Sequence, residues 1–362
     1  VNENRIVLKK ADGMYVEIEA ENFVIATGGR PQKLPFVSES NDIWYYKDAL
    51  QPTDIPKNIL VVGSGAIGVE FTSFYNQMGS NVTLLEAQDR IVPSEDNDVS
   101  TFVEKQFLDK KINIFKNCLL KEVNKKPKGV NAVFVKNKKK YDFDYDKIII
   151  AVGITGNIED LNTEAAGVRC ENQRIVVDEY CRTNKTNIYA IGDVASAPWL
   201  AHKASHEGII VAELIAGKKP HSIKRENIPA CTFCDPEIAS IGLTEANAKE
   251  ERLDYKVGIF PFSANGKALA MGYKDGFIKT IIEKRTGEIL GVHMEENFNV
   301  HLGKKLRLRR LSLGLTQTKV AQAINVTFQQ IQKYEKGTNG VSSNRLMQLS
   351  QFLKVPIIYF FE

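Results

Sequence analysis

The segment GSGAIG at positions 63–68 constrains the fold of this chain more than any other part of the sequence. It follows an apolar run, Asn58–Val62, and opens a stretch with helical spacing, so we expect a turn between a strand and a helix. In such a turn Gly63 permits the tight bend, Gly65 lets the backbone approach a pyrophosphate, and Gly68 lets the helix pack against the strand. The pattern predicts a doubly wound α/β domain that binds a dinucleotide.

The acid that ends the next apolar run indicates which dinucleotide is bound. Residues Asn81–Glu86 are typical of a second strand, and Glu86 lies eighteen residues after Gly68. A carboxylate at this position accepts hydrogen bonds from the adenosine ribose hydroxyls and repels a 2′-phosphate. We therefore predict that NAD(H), rather than NADP, is the ligand. The alternative is a glycine turn beside a strand-end acid, with no ligand.

Charge and pattern both change at about residue 294. Residues 294–362 contain ten basic and four acidic residues, a net charge of +6, within a chain of net charge +4. Strand-like runs precede this point and helical spacing follows it. The change predicts a small basic all-α module after a larger α/β part, and nucleic acid is a typical partner of such a module. The alternative is a solvated helical surface.

Composition and cysteine content exclude several classes of protein. With 43% hydrophobic and 25% charged residues, the chain has the composition of a globular protein, not of a disordered or collagen-like one. It has no apolar run near the length of about 20 residues that a transmembrane helix needs. Its first residues lack the pattern of a signal peptide. Five cysteines in 362 residues suit a reducing compartment, so we predict a cytoplasmic protein without membrane contact.

Several segments resemble the dihydrolipoamide dehydrogenase family of flavin-dependent pyridine nucleotide-disulfide oxidoreductases. The resemblance runs from about residue 5 to residue 294, and the stretch from Ile59 to Pro93 is similar to the family's NAD domain. The other similar segments are FVIATGGRP (Phe23–Pro31), IIIAVGI (Ile148–Ile154), NIYAIGDVASAPWLAHKASHEG (Asn187–Gly208), IPACTFCDPEIASIGLTE (Ile228–Glu245) and NGKALA (Asn265–Ala270). The resemblance implies FAD beside NAD as cofactors, and a homodimer through a dimer-interface domain.

The resemblance also implies roles for individual residues. Glu70 corresponds to the acid that faces the nicotinamide end of NAD, and Gly153 lies in the cofactor-binding segment IIIAVGI. Asp193 corresponds to the aspartate that bonds the flavin's sugar-phosphate arm, although capping a helix is an alternative role for it. Ala201 begins a segment that lies by the flavin ring. In one departure from the family, Thr155-Gly156 replaces the usual arginine-proline pair.

The residues that carry the family's redox chemistry are not found in this sequence. It contains no CxxxxC pair, no FAD glycine motif before Arg5 and no His-Glu base after Met294. Cys231 and Cys234 have redox spacing, but residues i and i+3 of a strand lie about 10 Å apart on opposite faces, too far for a disulfide. We therefore predict two packed cysteines, no catalytic residue and no metal site. NAD binding without turnover is expected, and FAD is implied by the family alone.

The last sixty or so residues resemble the Cro/repressor-type helix-turn-helix family. In HLGKKLRLRRLSLGLTQTKVAQAINVTFQQIQKYEKG, residues 301–337, a first helix is predicted from about Val300 to Leu313, ended by Gly314. Thr316 caps the second helix, and Thr327 begins the third, the recognition helix, with a T-x-x-Q capping box. Apolar residues within these helices predict a small core. Four later residues complete it: Leu346, Leu349, Phe352 and Leu353.

This second resemblance implies contacts with duplex DNA through residues 301–362, because the start of the recognition helix enters the major groove in this motif. Gln329 is suited to read adenine through a bidentate pair, and Gln317 corresponds to a phosphate-contacting position. Arg310 and Glu335 correspond to a pair that ties the first helix to the third. A helical protein-interaction module is the alternative. The residues predicted to contact DNA are Gln317, Thr327, Phe328, Gln329 and Lys333.

Together these patterns predict a doubly wound Rossmann-type NAD domain, a partial FAD domain, a truncated α+β interface domain and a small all-α helix-turn-helix domain. The predicted bounds are 1–54 and 153–226 for the two FAD segments, 55–152 for the NAD domain, 227–294 for the interface domain and 295–362 for the helix-turn-helix domain. Three hypotheses for function follow. They are an incomplete dihydrolipoamide-dehydrogenase-like oxidoreductase, a DNA-binding regulator with an NAD sensor, and a gene fusion or assembly artefact without joint function.

Overall fold

The computed structural model describes residues 4–271, 275–296, 298–337, 341 and 343–360. It divides into a smaller unit, Val1–Pro35 with Val152–Ala230, and a larger unit, Phe36–Ala151 with Cys231–Glu362.

The strands are β1 Arg5–Lys9, β2 Tyr15–Glu19, β3 Phe23–Ile25, β4 Gly29–Pro31, β5 Ile43–Trp44, β6 Asn58–Val62, β7 Asn81–Leu85, β8 Asn113–Phe115, β9 Cys118–Lys125, β10 Val130–Lys136, β11 Lys139–Tyr145, β12 Lys147–Ile150, β13 Ile154–Gly156, β14 Cys170–Glu171, β15 Arg174–Ile175, β16 Ile188–Ala190, β17 Ala230–Thr232, β18 Glu237–Gly242, β19 Tyr255–Pro261, β20 Phe277–Glu283 and β21 Ile289–Glu296. The helices are α1 Tyr46–Leu50, α2 Ala66–Gln77, α3 Asn97–Asp109, α4 Ala201–Ile215, α5 Glu245–Glu250, α6 Gly266–Met271, α7 Phe298–Ser312, α8 Gln317–Ala323, α9 Phe328–Lys336 and α10 Ser343–Phe352.

A five-stranded parallel sheet, in the order β5-β12-β6-β7-β8, forms the centre of the larger unit. Strand β6 has the sequence NILVV with its last four residues buried, as expected for a parallel strand that is covered on both faces. Helix α2 connects β6 to β7, and α3 connects β7 to β8, which is the connectivity of a doubly wound fold. The predicted α/β fold class is confirmed.

This sheet begins earlier in the chain than the sequence analysis predicted. Strand β5 pairs in parallel with β12, with Ile43 opposite Ile148, whereas the predicted NAD domain started at residue 55. A two-residue strand contains no periodic pattern, so the sequence carried no signal for it. Residues 36–54 therefore belong with this parallel sheet and not with the predicted FAD segment 1–54.

The smaller unit consists of strand pairs and the fifteen-residue helix α4. Strands β3 and β16 form a two-stranded parallel sheet, and β3 pairs with no other strand in the described part of the chain. Val24, in the middle of β3, is 43% exposed. Parallel sheets are normally larger and covered on both faces, and in the described residues this pair is neither.

A second five-stranded sheet, in the order β17-β18-β21-β20-β19, follows in the larger unit. Strands β18, β21, β20 and β19 pair antiparallel, as predicted for an α+β interface domain. Thr244 caps α5, since its hydroxyl accepts the N–H of Asn247 at 3.1 Å. Strand β21 continues to Glu296, opposite Glu237, two residues beyond the predicted domain boundary at 294.

The C-terminal helices α7–α10 form the predicted helix-turn-helix module. Thr316 and Thr327 cap α8 and α9 through their hydroxyls, and Gly314 has the left-handed φ of +62° that ends the first helix. Helix α7 runs from Phe298 to Ser312, close to the prediction. Phe352 was predicted to be buried and is 36% exposed, because Leu353 takes the core position at the end of α10. The core is formed by Leu302, Leu306, Val320, Ala321, Ile324, Ile331, Tyr334, Leu346, Leu349, Leu353 and Phe360.

None of the helices in the described ranges is long and apolar enough to cross a membrane.

Candidate functional site

The glycine segment at positions 63–68 forms a turn whose backbone lies open to a ligand. Gly63 has a φ of +96°, and its N–H donates to Leu85 O at 2.8 Å, which ties the turn to the end of β7. A Cβ on Gly68 would lie 1.9 Å from Gly63 O, so only glycine lets α2 pack this closely. A Cβ on Gly65 would meet no atom within 4 Å. Space is therefore open where the sequence predicts a pyrophosphate.

Helix α2 starts at this turn without a capping side chain. Its N-cap residue is Gly65, and its first turn contains no acidic residue. The N–H groups of the first turn and the helix dipole both favour an anion at this end of a helix. The residues present therefore fit the pyrophosphate of a dinucleotide.

The acid at the end of β7 holds the glycine turn in place. Glu86 is 6% exposed, and its Oε2 accepts hydrogen bonds from Ser64 N at 2.8 Å and Ser64 Oγ at 2.6 Å. Its Oε1 accepts the N–H of Gln88 at 2.8 Å. The sequence pattern predicts a ribose-binding role for Glu86 but not these contacts, because Ser64 occupies an unconstrained position of G-x-G-x-x-G. Glu86 therefore orients the turn, and its ribose-binding role stays a prediction.

Glu70, predicted to face the nicotinamide end, lies on α2 against the start of the second sheet. Its Oε1 accepts the N–H of Phe233 at 2.8 Å. Burial raises the pKa of the Glu70 carboxyl, although the hydrogen bond from Phe233 opposes the rise. The residue whose backbone N–H binds this acid, Phe233, is itself 72% exposed.

The two cysteines with redox spacing differ in their surroundings, and both are free thiols. Cys234 is buried, its Sγ donates to Pro236 O at 2.9 Å, and burial raises the pKa of the thiol. This is the packed cysteine that was predicted, and the raised pKa disfavours the reactive thiolate. Cys231 is exposed on β17, so the prediction that it packs in the interior was wrong. The reason is that β17 is an edge strand of its sheet.

The residues predicted on the flavin side lie in the smaller unit, around the start of α4. Asp193 lies in a 3-10 turn, Gly192–Val194, and burial raises the pKa of its carboxyl. Ala201 is the first residue of α4, and Gly153, with a φ of +129°, directly precedes β13. The smaller unit therefore contains the predicted acid, Asp193, close in sequence to the start of helix α4.

A buried ion pair that the sequence analysis missed supports this turn. Lys203 Nζ lies 2.8 Å from Glu207 Oε1, with both side chains buried. Glu207 Oε2 accepts the N–H of Gly192 at 2.7 Å, and Lys203 Nζ donates to Ser196 O at 2.8 Å. The i,i+4 spacing of a lysine and a glutamate on one helix is the signal that could have found it.

The smaller unit fits only part of FAD. Within its described residues we find no glycine-rich strand–turn–helix like that at positions 63–68, and β3 and β16 form a sheet of two strands only. Such a turn is what holds a flavin dinucleotide's pyrophosphate. The residues present therefore do not fit the whole cofactor.

Helix α9, which was predicted to be the recognition helix, presents its predicted contact residues to solvent. Thr327, Phe328, Gln329 and Lys333 are all exposed, whereas Ile331 is fully buried. The hydroxyl of Thr327 accepts the N–H of Gln330, as the capping box predicted. The exposed residues thus occupy the first turns of the helix, which is the end that enters a major groove.

The predicted pair Arg310–Glu335 is present, and it positions Gln317. Arg310 Nη2 donates to Glu335 Oε2 at 2.9 Å, and its Nη1 donates to Leu315 O at 2.9 Å. The side-chain amide of Gln317 also donates to Glu335 Oε2, at 2.6 Å. Gln317 therefore stands beside a basic crevice, with its amide orientation set by Glu335. The crevice is lined in addition by Arg307, Thr318, Phe328, Gln332 and Lys336.

Known protein families match both the α/β part of the chain and its C-terminal helical module. A family model for pyridine nucleotide-disulphide oxidoreductases matches residues 1–208. The chain belongs to the pyridine nucleotide-disulphide oxidoreductase family. The model for the dimerisation domain of the same family matches residues 228–295, and a helix-turn-helix model matches residues 306–360.

Curated relatives of this chain are named dihydrolipoyl dehydrogenases. The one from Rhizobium etli is 45% identical over 288 residues, which are 79% of this chain and 59% of the relative. The one from Zymomonas mobilis is 42% identical over 293 residues, 80% of this chain and 63% of the relative. The chain therefore spans about three fifths of the length of these relatives.

Two solved structures show a similar fold. LpdA from Mycobacterium tuberculosis matches with a TM-score of 0.74 and 25% identity, covering 92% of this chain and 72% of LpdA. The flavoprotein disulfide reductase RclA from Escherichia coli, in a Cu(II) complex, matches with a TM-score of 0.74 and 24% identity, covering 93% of this chain and 76% of RclA.

The departure from the family pattern at Thr155-Gly156 has a local structural reason. The N–H of Gly156 donates to Gln173 O at 3.1 Å, a hydrogen bond that a proline cannot make. A Cβ on Gly156 would lie 2.8 Å from Gln173 O and 3.1 Å from Val194 O. In this member of the oxidoreductase family, glycine therefore lets β13 pack closely against the turn that contains Asp193.

Proposed function

We propose that this member of the oxidoreductase family binds NAD(H) at the glycine turn formed by Gly63, Gly65 and Gly68. The observation that carries the proposal is the open space at Gly65 beside an uncapped twelve-residue helix. These N–H groups would hold the pyrophosphate, and NAD(H) would supply a nicotinamide for hydride transfer. The buried carboxylate of Glu86 supports the preference for NAD(H), because it would repel a 2′-phosphate.

Replacing Glu86 with alanine is expected to weaken NADH binding by about 1–3 kcal/mol, or about 5- to 150-fold in Kd. The variant removes the acceptor for Ser64 N and Ser64 Oγ, and with it the predicted ribose contact. Titration of the full chain with NADH and with NADPH measures the effect. Glu122→Ala, an exposed acid on β9, is the matched control. Equal affinity of the unmodified chain for both cofactors would show that the NAD assignment is wrong.

We also propose that these 362 residues do not oxidise dihydrolipoamide on their own. All five cysteines are free, and the pair with redox spacing places one thiol in solvent and one in the interior. Without a redox disulfide, electrons from a dithiol have no route toward NAD⁺. A dihydrolipoamide–NAD⁺ assay is therefore expected to give no turnover above the rate without protein, with or without added FAD. Turnover that survives Cys231→Ser and Cys234→Ser would contradict this proposal.

A second function, duplex DNA binding, is favoured by the exposed start of α9. We infer that Thr327, Phe328, Gln329 and Lys333 contact the major groove and that Gln317 contacts a phosphate. The net charge of +6 over residues 294–362 supports an anionic partner. Affinity should then fall steeply as salt rises, because each lysine or arginine contact releases counterions.

Replacing Gln329 with alanine is expected to cost about 1–3 kcal/mol at one base pair of a selected operator, with preference at that position relaxed. Replacing Gln317 is expected to weaken binding to all sequences alike. Gln322→Ala, an exposed glutamine on α8, is the matched control. Fluorescence anisotropy with the operator and with its single-base variants distinguishes the effects of the three substitutions, at Gln329, Gln317 and Gln322. Unchanged affinity and unchanged preference for Gln329→Ala would reject this recognition helix.

We infer a homodimer that uses the second sheet. The dimerisation-domain match at residues 228–295 supports this, as does the exposed apolar surface of β19, an edge strand of that sheet. Its exposed apolar residues are Val257, Ile259 and Phe260. An edge strand of this kind is a ready surface for a second chain.

A further inference from the structure

Four of the five residues at positions 136–140 are lysines, and they form the turn between β10 and β11, here called the lysine turn. Its members are Lys136, Lys138, Lys139 and Lys140. Lys136 is half-buried and the other three are exposed. Residues 1–293 contain 38 basic and 40 acidic residues, a net charge of −2. The lysine turn is therefore a concentrated positive patch in a part of the chain that is otherwise close to neutral.

Within the described part of the chain, no ion pair neutralises these four lysines. Lys136 and Lys139 lie directly opposite each other on the two strands, where like charges repel. Lys139 Nζ lies 5.1 Å from the centre of the Tyr141 ring, a cation–π contact that leaves the charge in place. The turn between β9 and β10 differs, because Lys126 pairs there with Asp144. An anion bound at the lysine turn would remove a repulsion that the fold leaves uncompensated.

The backbone at the tip of the lysine turn is strained by the residue it carries. Asn137 and Lys138 have φ values of +50° and +65°, the left-handed pair of a type I′ hairpin turn. Asparagine tolerates this conformation, but the second position favours glycine, because a Cβ is unfavourable there. Lys138 thus places a charge at the tip where glycine would relieve strain.

The charges of this three-stranded sheet are sorted by face. Side chains alternate along a strand, so the register places Lys136 and Lys139 on one face of the sheet. The acids of β9, β10 and β11, strands that the structure describes completely, are Glu122, Asp142 and Asp144, and all three belong to the opposite face. The face that holds Lys136 and Lys139 therefore presents positive charge without an acid among its strand residues.

The ammonium groups of the lysine turn diverge and do not form a pocket. Lys136 and Lys139 share one face, Lys140 follows on the other face, and Lys138 lies at the tip. A small anion needs donors that converge on one point, whereas a polyanion offers separate charges to separate donors. Duplex DNA carries one phosphate charge for about every 1.7 Å of helix axis. The arrangement fits a polyanion of this kind.

We propose that the lysine turn is a second DNA contact of this chain, which binds the phosphate backbone of a duplex without reading its sequence. The proposal rests on the DNA-binding function inferred for the helix-turn-helix module. That module would hold a duplex at high local concentration near the rest of the chain, which favours DNA over other polyanions. Lysine binds phosphate as a point charge, so these contacts add affinity and no base preference.

The salt dependence of DNA binding by the full chain counts such contacts. Each phosphate contact contributes about 0.9 to the slope of log K against log salt concentration. The triple variant Lys136→Gln, Lys138→Gln and Lys139→Gln is expected to lower this slope by about 2–3 on a non-operator duplex of about 60 base pairs. Its affinity at about 50 mM salt should be at least about fivefold lower. Fluorescence anisotropy between about 50 and 200 mM salt measures both quantities.

The matched control removes the same charge from the other turn of the same sheet. Replacing Lys125, Lys126 and Lys128 with glutamine is expected to leave the slope within about 0.5 of that of the unmodified chain. A second variant, with arginine in place of Lys136, Lys138 and Lys139, keeps the charge and should keep the slope. Circular dichroism verifies that all three variants remain folded.

The outcomes separate this inference from the function on which it rests. Equal slopes for the lysine-turn glutamine variant and its control overturn the inference and leave the helix-turn-helix function intact. A slope difference in a chain that prefers no operator supports the inference and rejects sequence-specific binding by the helix-turn-helix module. Phosphatidylserine vesicles and a polyglutamate peptide test the other polyanions. If the glutamine variant binds either of them more weakly but binds the duplex equally well, the partner is not DNA and the proposal is wrong.

Discussion

Replacing Lys279 with methionine is expected to lower the free energy of unfolding by about 3–5 kcal/mol, since it leaves a buried charge unpaired. Lys279 lies on β20 and is 1% exposed. Its Nζ donates to Asp96 Oδ1 at 2.8 Å, Asp98 Oδ2 at 2.7 Å and Glu245 Oε2 at 2.6 Å. Asp96 caps α3 and is itself 1% exposed, so without the ammonium its carboxylate remains in the interior with no cation.

Urea denaturation of the full chain, followed by circular dichroism, measures this loss. Lys256→Met, an exposed lysine on the neighbouring strand β19, is the matched control and is expected to change stability by less than about 0.5 kcal/mol. Combining Lys279→Met with Asp96→Asn should recover part of the loss, because the unpaired charge is removed. A Lys279→Met variant as stable as the control would show that the cluster contributes nothing.

The effect of Lys279→Met should depend on pH in a defined direction. Burial acts to raise the pKa of Asp96, but hydrogen bonds from Lys279 and from the N–H groups of Glu245 and Asp98 outweigh it and hold the pKa below 3.8. A carboxyl with a lowered pKa in the folded state stabilises the protein at pH values above its unfolded pKa. The difference between the variant and the unmodified chain should therefore shrink as the pH falls from the ordinary aspartate range toward the lowered pKa of Asp96.

This cluster illustrates what the sequence could not predict. Its members come from positions 96, 98, 245 and 279, and no local pattern relates residues that distant. One signal was present: Lys279 lies within the apolar run FIKTII of a strand, where a buried lysine requires acidic partners. The sequence indicates that partners exist, but only the packing of α3 and α5 against β20 identifies them.

The glycine turn and the caps of α8 and α9 were predictable because their constraints are local. Gly63 and Gly68 are required by a positive φ and a close backbone contact within six residues of one another. The caps of α8 and α9 are also local, because the hydroxyls of Thr316 and Thr327 each accept the N–H of the residue three positions later. The prediction for Cys231 was wrong because a strand's period describes which residues share a face, not whether that face is covered. Whether a strand face is buried depends on which other elements pack against the sheet.

Replacing Glu335 with alanine is expected to destabilise the helix-turn-helix module by about 3–5 kcal/mol. Glu335 is buried on α9, and its carboxylate accepts hydrogen bonds from Arg310 on α7 and from Gln317 on α8. The variant would leave the guanidinium of Arg310, 8% exposed, without a counter-charge. Because the three helices meet at this carboxylate, its loss should also separate the residues that we propose contact DNA.

Hydrogen–deuterium exchange of the full chain measures this effect module by module. Amides of α7–α9 are expected to lose protection in Glu335→Ala, while NADH binding at residues 63–68 stays unchanged. Lys336→Ala, an exposed neighbour on the same helix, is the control. The double variant Arg310→Met with Glu335→Leu should restore protection, since an apolar pair can replace a buried ion pair. Its DNA affinity should nevertheless remain low, because Gln317 has lost the acceptor that orients it. Full protection in Glu335→Ala would mean that the apolar core alone holds the three helices together.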